Sequence, residues 1–431
     1  MLLSNPISGI DQTNHKRKLS YYDSPYTICY ENNDNTYSMY IFASPIQYKT
    51  SSGYSIINNT LIASKRENFA FENKANHVKT YFPKKLSGPF RVEKDADTLS
   101  FWPDFDISGF SKAEQIVFTN MYGDDVSAAL YSRNDIDLIF YPTKAGIKSE
   151  VVLKEKPKNN GFAFSICSGA STFDNDQNGY IVFKKEGGQN ESLIYQPLVQ
   201  SIVDGKRQLD VTARMNMERR EEDYHVNIKI SEEFIDSADI GYPIKFDPSF
   251  EMYLQKIPDS TAYSKCNINN YLCHYAVIGE HSVLGDGWYY TRLRLNYFMR
   301  VNIKNIKSAV YVIKPLWRNK DVPDLQAYEP IEQWSSTGLL WENKSKPRKQ
   351  ISKAELQNKY LEFKANLFIS ECFCDLNWQK ESIGFLIKTD QKDTFNILAT
   401  ADNSLYTPYI KINLDMLPMY FDPRQNVNET H

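Results

Sequence analysis

At 431 residues and a formal net charge of −3, the chain is too long for one ordinary hydrophobic core and reads as two domains. With 50 basic against 53 acidic side chains, no field is strong enough to capture nucleic acid or an anionic membrane surface, so neither is expected as a partner. Aromatic residues reach 14%, with 29 tyrosines and 24 phenylalanines, which suits rings packed across strands better than a helical bundle.

In chain order, the opening MLLSNPISGIDQTNHKRKLS has no apolar segment between a basic start and a small-residue cleavage site. No signal peptide is therefore visible in this chain, and residues 1–22 are expected to be flexible. From Tyr37 onward, TYSMYIF, YSIINNTLI, TLSFW, DIDLIFY, SEVVL, GFAFSI, GYIVF, QLDVTARM and YHVNIKI recur, separated by SSG, NNDN, DNDQNG, EGGQN and VDGK. Short β-branched and aromatic runs between turn formers predict strands. One helix signal interrupts them, SEEFIDSA at 231–238, where Ser231 can cap and two glutamates sit in the first turn.

The next segment is GYPIKFDPSF, 241–250. Pro248 removes a ladder donor and pushes Asp247 out of helical geometry, so a strand is expected to stop there and a β-rich leader module to span 23–247. A catalytic Asp247 would need a partner acid or base in a cleft, and nothing at fixed spacing supplies one. A structural Asp247 needs only backbone N–H groups to accept, and that is the expectation. Beyond it YAVIG, GWYYTRLRLNYF, SAVYVIK, LEFKANLF, GFLIKT, FNILAT and YIKINL predict a second β module over 248–415. A tail, 416–431, turns polar after a second Phe-Asp-Pro. No run approaches the roughly 18 apolar residues of a membrane-spanning helix.

Several stretches carry candidate chemistry. DNDQNGY places Asp174, Asp176 and Asn178 at alternating positions before Gly179, a loop able to wrap oxygen ligands round calcium. Its twelfth position is Lys185 rather than a bidentate glutamate, and a tight hairpin turn has the same composition. Beyond calcium, no cofactor is expected. Cys266, Cys273, His274 and His281 cluster without CxxC or HxxxH spacing, and Cys372 and Cys374 are two apart. Buried thiols are the expected state of the six cysteines, with a remote zinc site the alternative. Neither a Gly-rich phosphate loop nor GxSxG nor HExxH occurs, and ERREED at 218–223 reads as a solvated hairpin tip.

The densest aromatic and polar stretch is GDGWYYTRLR. Strand alternation puts Trp288, Tyr290, Arg292 and Arg294 on one face, expected to be exposed, and Tyr289, Thr291 and Leu293 on the other. Flat rings stack on sugar C–H faces while Arg and Asn bond hydroxyls, so this face is a candidate saccharide platform, with rim packing as the alternative. QWSSTGLLWENKS adds Trp334 and Trp341 as a second candidate.

Most of the chain resembles bacterial surface proteins with a DNRLRE domain and the leader region of rearrangement-hotspot, or YD-repeat, proteins. In the first half the likeness rests on ASPIQYKTSSGYSIINNTL, YSRNDIDLIFYPTKAGIKSEVVL and YPIKFDP. In the second it rests on WYYTRLRLNYFMRVNIKNIKSAVYVIK, LLWENKSKP and GFLIKT. Two departures stand out. FKANLFISECFCDLNW replaces the family's Asp-x-Thr pair, leaving Asn366 and Ser370 there, and no Tyr-Asp ladder follows residue 415.

The resemblance implies a mostly β protein whose second module is a jelly-roll-type β-sandwich similar to a carbohydrate-binding module. It implies a place at the cell surface or outside the cell, a polysaccharide or cell-envelope glycan as partner, and no catalysis. A docking component of a secreted toxin-like or injection-type particle, contacting other protein subunits, is the alternative. An enzyme on the same scaffold comes third.

Overall fold

The computed structural model describes residues 10, 13–157, 160–169, 172–175, 181–186, 190–195, 197–203, 206–210, 213–220, 223–236, 241–252, 259–265, 274–282, 284–294, 299–300, 305–318, 324–331, 334, 339–374, 382–417 and 419–420. The mostly β expectation holds: antiparallel sheets account for nearly all regular structure, with short helices at Glu232–Asp236 and Asn366–Cys374. Two units form. One spans 56–254, and the other joins 7–55 to 255–431.

The first unit contains two sheets. The 8-stranded one runs, in spatial order, Arg214–Arg219, Tyr224–Lys229, Gly161–Ser168, Asp97–Pro103, Phe90–Lys94, Lys79–Pro83, Phe69–Ala75 and Asn58–Ala63. An 11-stranded sheet begins at Glu114–Thr119 and passes through Asp125–Ser132, Ile136–Pro142 and Gly146–Leu153. Phenylalanines from the two sheets meet in one core. Phe101 stacks on Phe250 at 3.8 Å and Phe90 lies 4.0 Å from Phe140 between ring centroids.

Asp247 and Pro248 do not end this unit. Gly241–Phe246 pairs with Val151, Val152 and Leu153 of Gly146–Leu153, and Ser249–Met252 pairs with Gly146, Ile147 and Lys148 of the same strand. The Asp-Pro step is therefore a break inside the sheet, after which the chain rejoins the same neighbour. Pro248 offers no N–H, yet its carbonyl accepts both the N–H of Ser149 at 2.9 Å and its hydroxyl at 3.0 Å. Phe246 and Phe250 lie in the same core on either side of the break. This moves the boundary from the expected 247/248 to 254/255.

The second unit is built round a 14-stranded sheet that bends into two layers. Pro347–Gln357 is the bend: its first part pairs with Gln326–Pro330 and its last four residues pair with Tyr360–Lys364. One layer holds Tyr409–Leu414 and Ile306–Ile313, the other Ser382–Lys388, Gly285–Arg294 and Tyr275–His281. Their inner faces close on Met39, Ile41, Tyr311, Phe363, Ile410, Tyr289, Phe385 and Leu398. Tyr311 and Phe385 stack at 4.6 Å across this core. Where LEFKANLF reads as one strand, the strand stops at Lys364 and a helix, Asn366–Cys374, follows. The Asn366 carboxamide accepts the N–H of Ala309 at 2.7 Å and so ties the helix to the sheet.

Residues expected in a flexible start and a leader module belong to this second unit. Tyr37–Phe42 pairs with Tyr409–Leu414 along its whole length, Thr27–Asn32 pairs with Tyr37–Phe42, and His15–Lys18 adds the outermost strand. Within 1–22, His15–Lys18 is thus ordered by pairing. The His15 ring stacks on Tyr30 at 4.3 Å, and Lys16 and Arg17 both bond Glu31 at 2.8 and 2.5 Å. Residues 421–431 of the expected tail lie outside the described residues.

Candidate functional site

The strand Gly285–Arg294 fixes the first candidate group. Gly287 is required near its start: a Cβ there would sit 1.9 Å from the Val277 carbonyl oxygen and 2.9 Å from the Tyr263 ring. With that close approach, Trp288 follows at the register point opposite Ala262, and Tyr289 and Tyr290 pair with Ile387 and Leu386. Alternation then works as expected. Tyr289 points into the core between the layers, donating its hydroxyl to Asp259 at 2.9 Å. Trp288, Tyr290 and Arg292 take the outer face.

That outer face is not bare. Trp334 and residues 339–345 lie over it, and a second, smaller core forms of Ala262, Tyr290, Trp334, Leu339 and Leu386. Tyr290 is fully buried, which pushes its phenol pKa far up, and it donates its hydroxyl to the Ser345 carbonyl at 2.5 Å. Arg292 donates to the Trp334 carbonyl and lies 4.7 Å over the Trp334 ring, and its burial lowers the guanidinium pKa. Trp334 is itself buried. Tyr290, Arg292 and Trp334 are therefore joined in holding the cover down. The sequence puts Tyr290 and Arg292 on one strand face and Trp334 in a separate candidate; folding joins the two.

Among the described side chains of the six named residues, Trp288, Arg292 and Trp341 keep part of their surface in water. Trp288 and Trp341 are half-buried and meet edge to face, with ring centroids 5.4 Å apart at 67°. Two ammonium groups frame them. Lys344 lies 3.5 Å over Trp341 and 4.8 Å over Trp288, while Lys388 lies 5.4 Å over Trp288 and 5.2 Å over Tyr328. Lys344 donates to the Trp341 carbonyl at 2.9 Å, and its partial burial lowers its pKa. A cation over an aromatic face contributes about 0.5–2 kcal/mol, so each lysine is oriented as well as charged. The arrangement offers two ring edges and the Lys344 ammonium within one patch, while Lys388 is buried and pairs with Asp390. Tyr328, Lys344 and Lys388 were not singled out from sequence; only folding brings them there. The backbone of Arg294 ends the strand, and its side chain lies outside the described residues.

The calcium loop falls largely outside the description. Asp174 belongs to the strand Thr172–Asn175, while Asp176 and Asn178 lie outside the described residues. Of the zinc candidates, Cys266 and Cys273 and the side chains of Cys372 and Cys374 also lie outside them. His274 and His281 are buried, the latter accepting the Leu284 N–H at 3.3 Å. Among the described residues, no group of three or more His, Cys, Asp and Glu is placed to hold a metal. Cys29 and Cys167 are free thiols, and burial pushes that of Cys29 up to about 12.

Asp247 sits in a buried polar network of the first unit. One oxygen accepts the Leu198 N–H at 2.7 Å, and the other accepts the Tyr122 hydroxyl and pairs with the Lys148 ammonium at 2.8 Å. Nearby Glu150 is fully buried, accepts the Met121 N–H at 2.8 Å and the Tyr141 hydroxyl at 3.1 Å, and lies 3.9 Å from Lys245. Asp247 thus anchors backbone, as expected, although the N–H it accepts comes from Leu198, distant in sequence and just ahead of the strand Val199–Val203.

No family model matches the chain, and no curated protein matches it. Among solved structures, the N-terminal domain of an adhesin of Streptococcus gordonii is similar at 9% identity, over 83% of this chain and 93% of that one, with a TM-score of 0.16. A likeness that slight bears on neither fold nor function.

Proposed function

We propose that the chain is a non-enzymatic surface β protein whose second unit binds a polysaccharide or cell-envelope glycan at Trp288 and Trp341 and anchors a larger assembly. The observation that carries this reading is the half-exposed tryptophan pair, 5.4 Å between centroids, framed by Lys344 and Lys388. Ring edges accept the apolar face of a pyranose, and the Lys344 ammonium suits a sugar bearing hydroxyl or carboxylate groups. The resemblance in motif order to DNRLRE-domain proteins, read from the sequence, supports the same reading. A glycan array probed with the intact chain, with Trp288→Ala and Trp341→Ala beside it, tests it. Retention on at least one polysaccharide and loss of about tenfold or more in either variant is expected. No retention by the parent, or retention by both variants equal to the parent's, overturns it.

One observation favours a docking role instead. Glu114–Thr119 ends the 11-stranded sheet, and among the described residues its outer side carries no strand. Val117 on it is 56% exposed. Such an edge can accept a strand from another subunit. Co-purification with a larger complex, indifferent to sugar and abolished by Val117→Pro, would select that reading.

A further inference from the structure

The first unit carries a cleft of about 670 Å³, adjoined by a smaller one of about 260 Å³ that shares Glu67, Asn68, Gly88 and Pro89 with it. The larger volume lies within the range of small-molecule sites. Its walls are tied together by main-chain bonds. Lys84 donates its N–H to the Asn68 carbonyl at 3.3 Å and accepts that of Ala113 at 3.1 Å, so the three wall segments share one residue. Gly88 closes the turn onto the Lys85 carbonyl at 3.0 Å, and Leu86, buried in the core, pins it from below. The cleft is thus pre-formed rather than induced, which lowers the ordering cost of binding.

Its chemistry is lopsided. Lys84, Lys85 and Lys112 face the larger cleft with Glu67 as the one carboxylate in its lining. This runs against the chain's formal charge of −3. Neither hydrogen bonds nor ion pairs engage these three ammoniums among the described residues. Next door the charges are already spent: Arg66 makes a bidentate pair with Glu93 at 2.7 and 2.8 Å and lies 4.0 Å over Tyr81. Arg91, which lines the smaller cleft, has a buried Nε without an acceptor. No aromatic ring lines the larger cleft, so stacking cannot drive recognition there. Lysine ammoniums act as compact point charges suited to tetrahedral oxyanions, and like charges focused in a concave wall raise the local concentration of anions.

We propose that this cleft binds a small ligand carrying two or more sulfate or phosphate groups, held by Lys84, Lys85 and Lys112. The site is separate in residues and in unit from the tryptophan patch, so either can fail without the other. The probes are a trisulfated disaccharide, its unsulfated parent and inorganic tripolyphosphate, titrated calorimetrically into the intact chain at low ionic strength.

At least one anionic probe should bind and the unsulfated parent should not. The affinity should fall with added salt, and about tenfold or more in Lys84→Gln and in Lys112→Gln, while Lys74→Gln leaves it unchanged. All three lysines are exposed, so these variants test binding rather than folding. Binding of the sulfated sugar alone assigns ester sulfates on a carbohydrate, and of tripolyphosphate alone a phosphate chain; either supports the proposal. Binding of neither, or affinity equal across the three variants, overturns it.

Discussion

Replacing Glu150 with Gln should change how the stability of the first unit depends on pH. Glu150 is fully buried, and desolvation, opposed by Lys245 and the Met121 N–H and aided by Asp247, pushes its pKa from 4.5 up to about 7. Unfolded, the carboxyl returns to 4.5, so between 4.5 and about 7 the folded chain binds the extra proton. Stability contributed by this group is then fully present below 4.5 and declines as pH rises to about 7. At ~1.4 kcal/mol for each tenfold, that gap corresponds to about 3 kcal/mol lost by neutral pH. Glutamine keeps a carbonyl oxygen for Met121 and Tyr141 and carries no charge to bury. Urea unfolding of both proteins between about pH 5 and pH 8 measures the difference. The stability of Glu150→Gln relative to the parent should rise by about 3 kcal/mol across that window. Parallel curves would refute the reasoning, since they would mean that Glu150 titrates alike folded and unfolded.

Three further changes probe the packing. Asp247→Ala strands the Lys148 ammonium in the interior and should cost about 3–5 kcal/mol in urea unfolding. Asp247→Asn should cost less, because its carboxamide still accepts the Leu198 N–H. Gly287→Ala drives a methyl group against the Val277 carbonyl and the Tyr263 ring, and should abolish the folding of the second unit or lower its melting temperature sharply, read by circular dichroism. Tyr290→Phe leaves the Ser345 carbonyl without its donor, a loss of about 1–3 kcal/mol. Hydrogen exchange should then quicken within 339–345 while Ser382–Lys388 stays protected.

What could be read from the sequence was local. Alternation in GWYYTRLR placed Tyr289 and Tyr290 on opposite faces, because the two-residue period is a property of the strand itself. The cover over Trp288, Tyr290 and Arg292 was invisible, since Trp334 and residues 339–345 reach that face only through tertiary packing. Asp247–Pro248 was read as a boundary for a sound local reason, the missing N–H. The strand Gly146–Leu153 overrides it by running past the break and pairing on both sides. The placement of His15–Phe42 in the second unit depends on Tyr37–Phe42 pairing with Tyr409–Leu414, a partnership across most of the chain that no window of residues reveals. Likewise Lys84 and Lys112 meet across one cleft only because Ala113 bonds the Lys84 carbonyl.

Oxidative footprinting of the intact chain, read residue by residue in a mass spectrometer with and without a polysaccharide retained on the array, probes the binding face itself. Trp288 and Trp341 should be labelled in the free protein and protected by the sugar, whereas buried Trp334 stays unlabelled in both. Protection confined to other residues, or none at Trp288 and Trp341, would contradict the assignment of that patch as the saccharide site.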